Sequence, residues 1–178
     1  MTSCPIAVVQ GAGSPVIQRL LADMLTVPWR PARIAGVVEV PQGDGSEACG
    51  SDTLLNIVDG SRYPIFQDLG SGSSACSLDP RGVVDACAAV CRDIAAGCDL
   101  VVLSKFGKLE AESGSGLLAA FAAALEAGVP ILTAVSPRNS ERWHAFAAPY
   151  YQVIAPSLSE IAAWWAAQSP AAASSASR

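Results

Sequence analysis

Lys105, Lys108 and Glu110 stand just past an apolar run, Leu100-Val101-Val102-Leu103, in the stretch DLVVLSKFGKLEAESGSG (residues 99–116). A continuous run of Val and Leu suits a strand buried on both faces of a parallel sheet. In open α/β sheets, ligands bind just outside the carboxyl ends of such strands. Two ammonium groups there suit an anion. Glu110 has two readings: a base that orients water, or an exposed ion pair with Lys105 or Lys108, worth about 0–1 kcal/mol.

A second chemical stretch lies near the start. Residues 5–10, PIAVVQ, read as a strand, and Gly11-Ala12-Gly13 as a tight turn. Ser14 then Pro15 read as a helix start, with Ser14 as the cap. Free N–H groups at such a turn, together with the helix dipole, can hold an anion. A third stretch, LGSGSSA (residues 69–75), offers the hydroxyls of Ser71, Ser73 and Ser74. These suit a compact tetrahedral oxyanion, if strand order brings the three segments together.

The spacing at Gly11 invites comparison with the phosphate-binding loop G-x-x-x-x-G-K-[ST]. Val16, Ile17 and Gln18 occupy the positions of its second Gly, its Lys and its Ser/Thr. The groups that would meet a nucleotide's β/γ-phosphates and magnesium are therefore absent.

The six cysteines form no CxxC pair. Cys87 and Cys91, four apart beside Val and Ile, read as small core residues rather than a metal pair. Cys49 and Cys76, in loops, read as partly exposed structural thiols, with a metal or oxyanion role as the alternative. His144, the one histidine, has no nucleophile paired with it by pattern, and reads as a surface residue.

The elements that must position these groups follow from periodicity. Strands are expected at residues 5–10, 33–40, 99–103, 129–135 and 151–155. A hairpin is expected over residues 53–58 and 63–67, turning at Asp59 and Gly60. Helices are expected after Ser14, after Asp79-Pro80, over Leu117 to Leu125, around Trp143, and after the capping pattern Ser157-x-x-Glu160. Alternating strands and helices imply an α/β fold: a doubly wound, mostly parallel sheet flanked by helices, with a β-hairpin insertion. One domain, residues 1–168, is expected, followed by a disordered low-complexity tail, residues 169–178.

Composition excludes some functions. The net charge is -5 over 178 residues and the pI is about 4.7. Nucleic-acid binding, which needs a broad basic surface, is not expected. No apolar run reaches the length of a membrane span. The start, MTSCPIAVVQG, has no basic leader or cleavage pattern, so a secretory signal is not expected and a cytoplasmic location is.

The chain resembles a little-characterised bacterial family related to P-loop nucleoside triphosphatases, often encoded near molybdenum-transport and molybdoenzyme genes. The resemblance covers about residues 5–165. It is carried mainly by QDLGSGSSACSLDP (residues 67–80) and by residues 99–117. Gly107, Lys108, Leu109 and Glu110 match the Gly-Lys-x-Glu portion of the triphosphatase segment. Ser104 and Lys105 stand where that segment carries acidic, metal-positioning residues. The resemblance thus implies a P-loop-like scaffold stripped of its hydrolytic groups. It suggests an oxyanion-binding protein, for molybdate or tungstate, in molybdenum storage, delivery or sensing. Its site would comprise Gly11, Ala12, Gly13, Ser14, Ser71, Ser73, Ser74, Lys105 and Lys108. One alternative is a divergent nucleoside triphosphatase using ATP or GTP with magnesium and Glu110. Another is a partner-binding module forming a homo-oligomer.

Overall fold

The structure, a computed structural model, describes residues 4–41, 52–67 and 77–168. The tail at residues 169–178, the loop serines 71, 73 and 74, and Cys49 and Cys76 lie outside the described residues.

The chain builds an α/β fold around one seven-stranded, mostly parallel sheet. Four strands supply its parallel centre with a fifth at its edge: β1 (Ile6–Val9), β2 (Ile34–Pro41), β7 (Leu100–Phe106), β8 (Ile131–Val135) and β9 (Tyr151–Ile154). Two short antiparallel strands, β3 (Asp52–Asn56) and β4 (Arg62–Pro64), extend the β2 side. The order across the sheet is β4-β3-β2-β7-β8-β1-β9. β5 (Phe66–Gln67) and β6 (Ser77–Leu78) form a separate antiparallel pair. The hairpin therefore ends at Pro64, and the next strand leaves the main sheet. Asn56 sets the turn between β3 and β4: its Oδ1 accepts from Val58 N at 2.7 Å, while its Nδ2 donates to Asp93 at 2.8 Å.

Six helices flank the sheet: α1 (Ser14–Asp23), α2 (Pro80–Ala96), α3 (Lys108–Ser113), α4 (Leu118–Glu126), α5 (Ser140–Ala147) and α6 (Leu158–Gln168). The expected caps of two hold. Asp79 accepts from Arg81 N at 2.9 Å at the start of α2, and Ser157 Oγ accepts from Glu160 N at 3.2 Å at the start of α6.

Period-2 alternation divides the strand residues between two apolar layers. On one face, Ile6, Val8, Val101, Leu103 and Ile131 pack under α2, α4 and α5 through Val83, Cys87, Val90, Phe121 and Trp143. On the other, Ala7, Val9, Leu100, Val102 and Leu132 pack under α1 and α6 through Ile17, Leu21, Ile161 and Trp164. No helix of the described residues is long and apolar enough to cross a membrane.

This division fixes where a ligand can enter. β1 and β8 are parallel neighbours. The chain leaves β1 into α1 on one face and leaves β8 into α5 on the other. Two adjacent strands whose exits diverge in this way open a crevice at their carboxyl ends, the topological switch point.

Candidate functional site

A cleft of about 410 Å³ occupies that switch point. Gln10, Gly11, Ala12, Gly13 and Ser14 line it from the β1–α1 turn, Lys105 and Gly107 from the end of β7, and Ser136 and Pro137 from the end of β8. The structure therefore brings the Gly11 turn and Lys105 to one place, as an oxyanion site requires.

The start of α1 differs from its expected form. Gly13, not Ser14, is the cap: its carbonyl accepts from Val16 N at 3.1 Å and Ile17 N at 3.2 Å. Ser14 and Pro15 become the first helical residues, and no side chain caps the helix. Proline is acceptable there because the first turn has no internal acceptor for its missing N–H. Among the described residues, no hydrogen-bond acceptor is found for the N–H groups of Gly11, Ala12, Gly13 and Ser14. The first turn holds no acidic residue. Among the described residues nothing compensates the helix dipole at this end.

The two positions compared above with the Lys and the Ser/Thr of a phosphate-binding loop serve packing. Ile17 is a core residue under the sheet. Gln18, 6% exposed, ties α1 to β7 by donating from Nε2 to the Ser104 carbonyl at 2.8 Å. Its Oε1 is buried and has no partner among the described residues.

β7 runs further than the apolar run suggests. It continues through Ser104 and Lys105 to Phe106. Pairing with β8 shifts on the way: Leu103 opposes Thr133, and Phe106 opposes Val135. Three steps on β7 match two on β8, so one extra residue is accommodated as a bulge. The bulge turns Phe106 back onto the face of Val101 and Leu103, where it joins Phe121 and Trp143 at ring separations of 6.1 and 5.1 Å. Lys105 is left at the strand's end with its ammonium 2.8 Å from Glu39 Oε2 on β2. The Glu39 side chain is only 11% exposed, against 41% for Lys105. Lys105 is therefore not a free cation. Glu39 lay too far away in sequence, in a strand read as ordinary, to be associated with it.

Lys108 and Glu110 do not join the cleft. Lys108 is exposed and lines a smaller neighbouring pocket with Glu39, Lys105 and Glu110. Glu110 is 8% exposed and pairs with neither lysine among the described contacts. Its Oε2 accepts from Gly107 N at 2.8 Å and its Oε1 from Leu117 N at 2.7 Å. This geometry corrects the exposed ion pair: the carboxylate is buried and held by two backbone N–H groups, capping α3 and holding the chain at the entrance to α4.

The other polar candidates are peripheral. His144 contacts Tyr151 OH at 3.1 Å on the surface. Cys87 is buried under α4, and burial lifts its thiol to about 11. Among the described residues no group of three or more His, Cys, Asp or Glu could hold a metal ion.

Residues 6–164 match the family described as "Protein of unknown function (DUF2478)". The chain belongs to this family. One relative is the "Molybdenum import ATP-binding protein ModC 2" of Bradyrhizobium diazoefficiens, 39% identical over 150 residues. That match takes in 84% of this chain but 17% of the relative, so the chain spans about one sixth of that protein's length. No solved structure gives a significant match.

Proposed function

We propose that the cleft binds a compact oxyanion, molybdate or tungstate, and that the protein serves molybdenum storage, delivery or sensing on a degenerate P-loop-like scaffold. The observation that carries this reading is the uncapped start of α1. Gly11, Ala12, Gly13 and Ser14, whose N–H groups have no acceptor among the described residues, line a cleft at the switch point, at the positive end of a ten-residue helix. Lys105 lines the same cleft. The relative's role in molybdenum import, as its name gives it, supports this choice of anion.

Hydrolysis is the weaker reading. A phosphate-transfer site needs a lysine over the β/γ-phosphates, a hydroxyl on magnesium and an acidic residue at the strand end. Here Ile17 is in the core, Gln18 is tied to β7, and Glu110 is tied to two backbone groups.

Equilibrium dialysis against sodium molybdate, with elemental analysis of the protein compartment, tests the reading. Retention of molybdenum at micromolar concentration, weakened in Lys105→Ala, is the expected result. No retained molybdenum or tungsten, or a Lys105→Ala variant that behaves like the parent, overturns it.

One observation favours a second reading. A cleft of about 410 Å³ lies in the range of about 300–1,000 Å³ that holds organic ligands. Its walls beyond the Gly11 turn include Ile17, Phe106, Ala134 and Val135. A nucleotide seated by its phosphate at the same turn fits this shape. Displacement of molybdate by ATP or GTP, in the same dialysis cell, distinguishes the two.

A further inference from the structure

The magnesium ion that a phosphate-transfer scaffold implies does not fit the residues present. The end of β7 carries Ser104 and Lys105 in place of acidic groups. Glu39 on β2, a carboxylate brought to this strand end by the neighbouring strand, already holds an ammonium group at 2.8 Å, and Glu110 beside it accepts from two backbone N–H groups. Glu39 is nearly covered, and its Oε2 finds no partner among the described residues other than Lys105. A covered carboxylate demands a positive charge beside it.

A second oxygen points the same way. Gln18 Oε1 is buried without a partner, and Gln18 lines, with Glu39 and Ser14, a cavity of about 600 Å³ beside the cleft. A neutral amide oxygen and a carboxylate from residues lining one cavity are ligands of the kind a hard divalent cation takes.

We propose that Glu39 is the cation seat of this site and that the Lys105 ammonium fills it as a resident cation. The native protein accordingly binds its anion without a divalent metal. Removing Lys105 empties the seat and turns the same site into a metal-dependent one. The part concerning the anion rests on the reading given under Proposed function; the part concerning the seat does not.

The test uses the whole chain, stripped with EDTA, and two probes. The first is Mn²⁺ alone, followed by electron paramagnetic resonance. The parent protein is expected to show no saturable Mn²⁺ binding, Lys105→Ala to gain a saturable site, and the double variant Lys105→Ala/Glu39→Gln to lose it again. The second is molybdate. The affinity of the parent is expected to be the same with and without Mg²⁺. That of Lys105→Ala is expected to fall about tenfold or more in metal-free buffer, as for loss of a charge-assisted contact, and to recover when Mg²⁺ is added. A variant held in place only by packing would not respond to the metal.

Lys105→Ala leaves Glu39 without its partner, so near-UV circular dichroism accompanies each titration. If the variant is unfolded without metal, recovery of the native spectrum on adding Mn²⁺ supports the seat, and failure to recover overturns it. Saturable Mn²⁺ binding by the parent, or a gained site that survives Glu39→Gln, also overturns it. If no molybdate binds the parent but Lys105→Ala gains the Mn²⁺ site, the seat stands and the oxyanion reading falls. If molybdate binds the parent and no variant gains a metal site, the reverse holds.

Discussion

At the scale of single residues, Glu110 shows how a chemical-looking motif can be structural. Gly-Lys-Leu-Glu places a carboxylate three residues after a helix cap, the spacing at which a side chain returns to the cap's own N–H. Glycine at the cap position hides this in the sequence, because the reciprocal Ser or Thr is absent. Gly116, with φ +65°, lets the chain pass so close that a β-carbon there would lie 2.2 Å from Glu110 Oε1. Glu110→Gln keeps the size but sets an amide N–H₂ against one of two backbone donors. A hydrogen bond to a charged group contributes about 1.5–3 kcal/mol, and part of that is lost. The expected outcome is a urea midpoint lowered by about 2 kcal/mol of stability, with the metal content after dialysis against molybdate unchanged. Loss of binding in a variant of native stability would restore Glu110 to the site.

At the scale of elements, the strand–turn–helix unit of β1 and α1 was legible because Gly, Pro and the apolar spacing are local signals. So were the caps at Asp79 and Ser157. The continuation of β7 was not. Its last two core-facing steps are set by a bulge against β8, and a register shift depends on a partner strand about 30 residues away in sequence. The same holds for Glu39 and Lys105, which meet only because β2 and β7 pair in parallel, Val37 opposite Leu103. Gly36 permits that pairing: a β-carbon there would fall 1.8 Å from the Val102 carbonyl. α3 was hidden for another reason, since six residues with a glycine cap carry too little periodicity to distinguish from a turn.

α2 supplies the prediction that belongs to this scale. Its buried stripe includes Cys87, whose thiol is raised from 9.0 to about 11, first by burial and further by Cys91 on the next turn. The neutral thiol is the form the fold favours. Its contribution is complete below pH 9, the unfolded value, and is lost as pH rises through the folded value near 11. Urea midpoints of the parent should therefore fall between pH 9 and 11 more steeply than those of Cys87→Ala. Parallel slopes would show that α2 opens to let Cys87 ionise without loss of the fold. Below pH 9 the two proteins should differ by a constant offset, the packing lost with the sulfur.

At the scale of the whole molecule, two apolar layers share one sheet. α1 leaves β1 over one layer and α5 leaves β8 under the other, so the crevice opens between the two cores. Its walls are the carboxyl ends of β1, β7 and β8 and the start of α1, where Ile17, Phe106, Ala134 and Val135 bring the edges of both apolar layers to it. A ligand bound there adds a bridge between the start of α1, the end of β7 and the turn after β8, beside those that Gln18 and Gln10 already make to the Ser104 and Val135 carbonyls. Binding to the folded state alone stabilises by RT ln(1 + [L]/Kd), about 2.7 kcal/mol at a hundredfold excess over Kd. For a chain of this size each kcal/mol raises the midpoint by about 2–4 °C. Molybdate at that excess should raise the melting midpoint by about 5–10 °C. Sulfate, also a tetrahedral dianion, measures how far the cleft distinguishes the metal oxyanion from charge alone. In metal-free buffer Lys105→Ala should show little of the shift, because the site then keeps the helix end but has lost its cation. A shift produced by ATP and not by molybdate would move the ligand from the helix end alone to the whole cleft, and would make the apolar walls at Phe106 and Val135 part of the recognition.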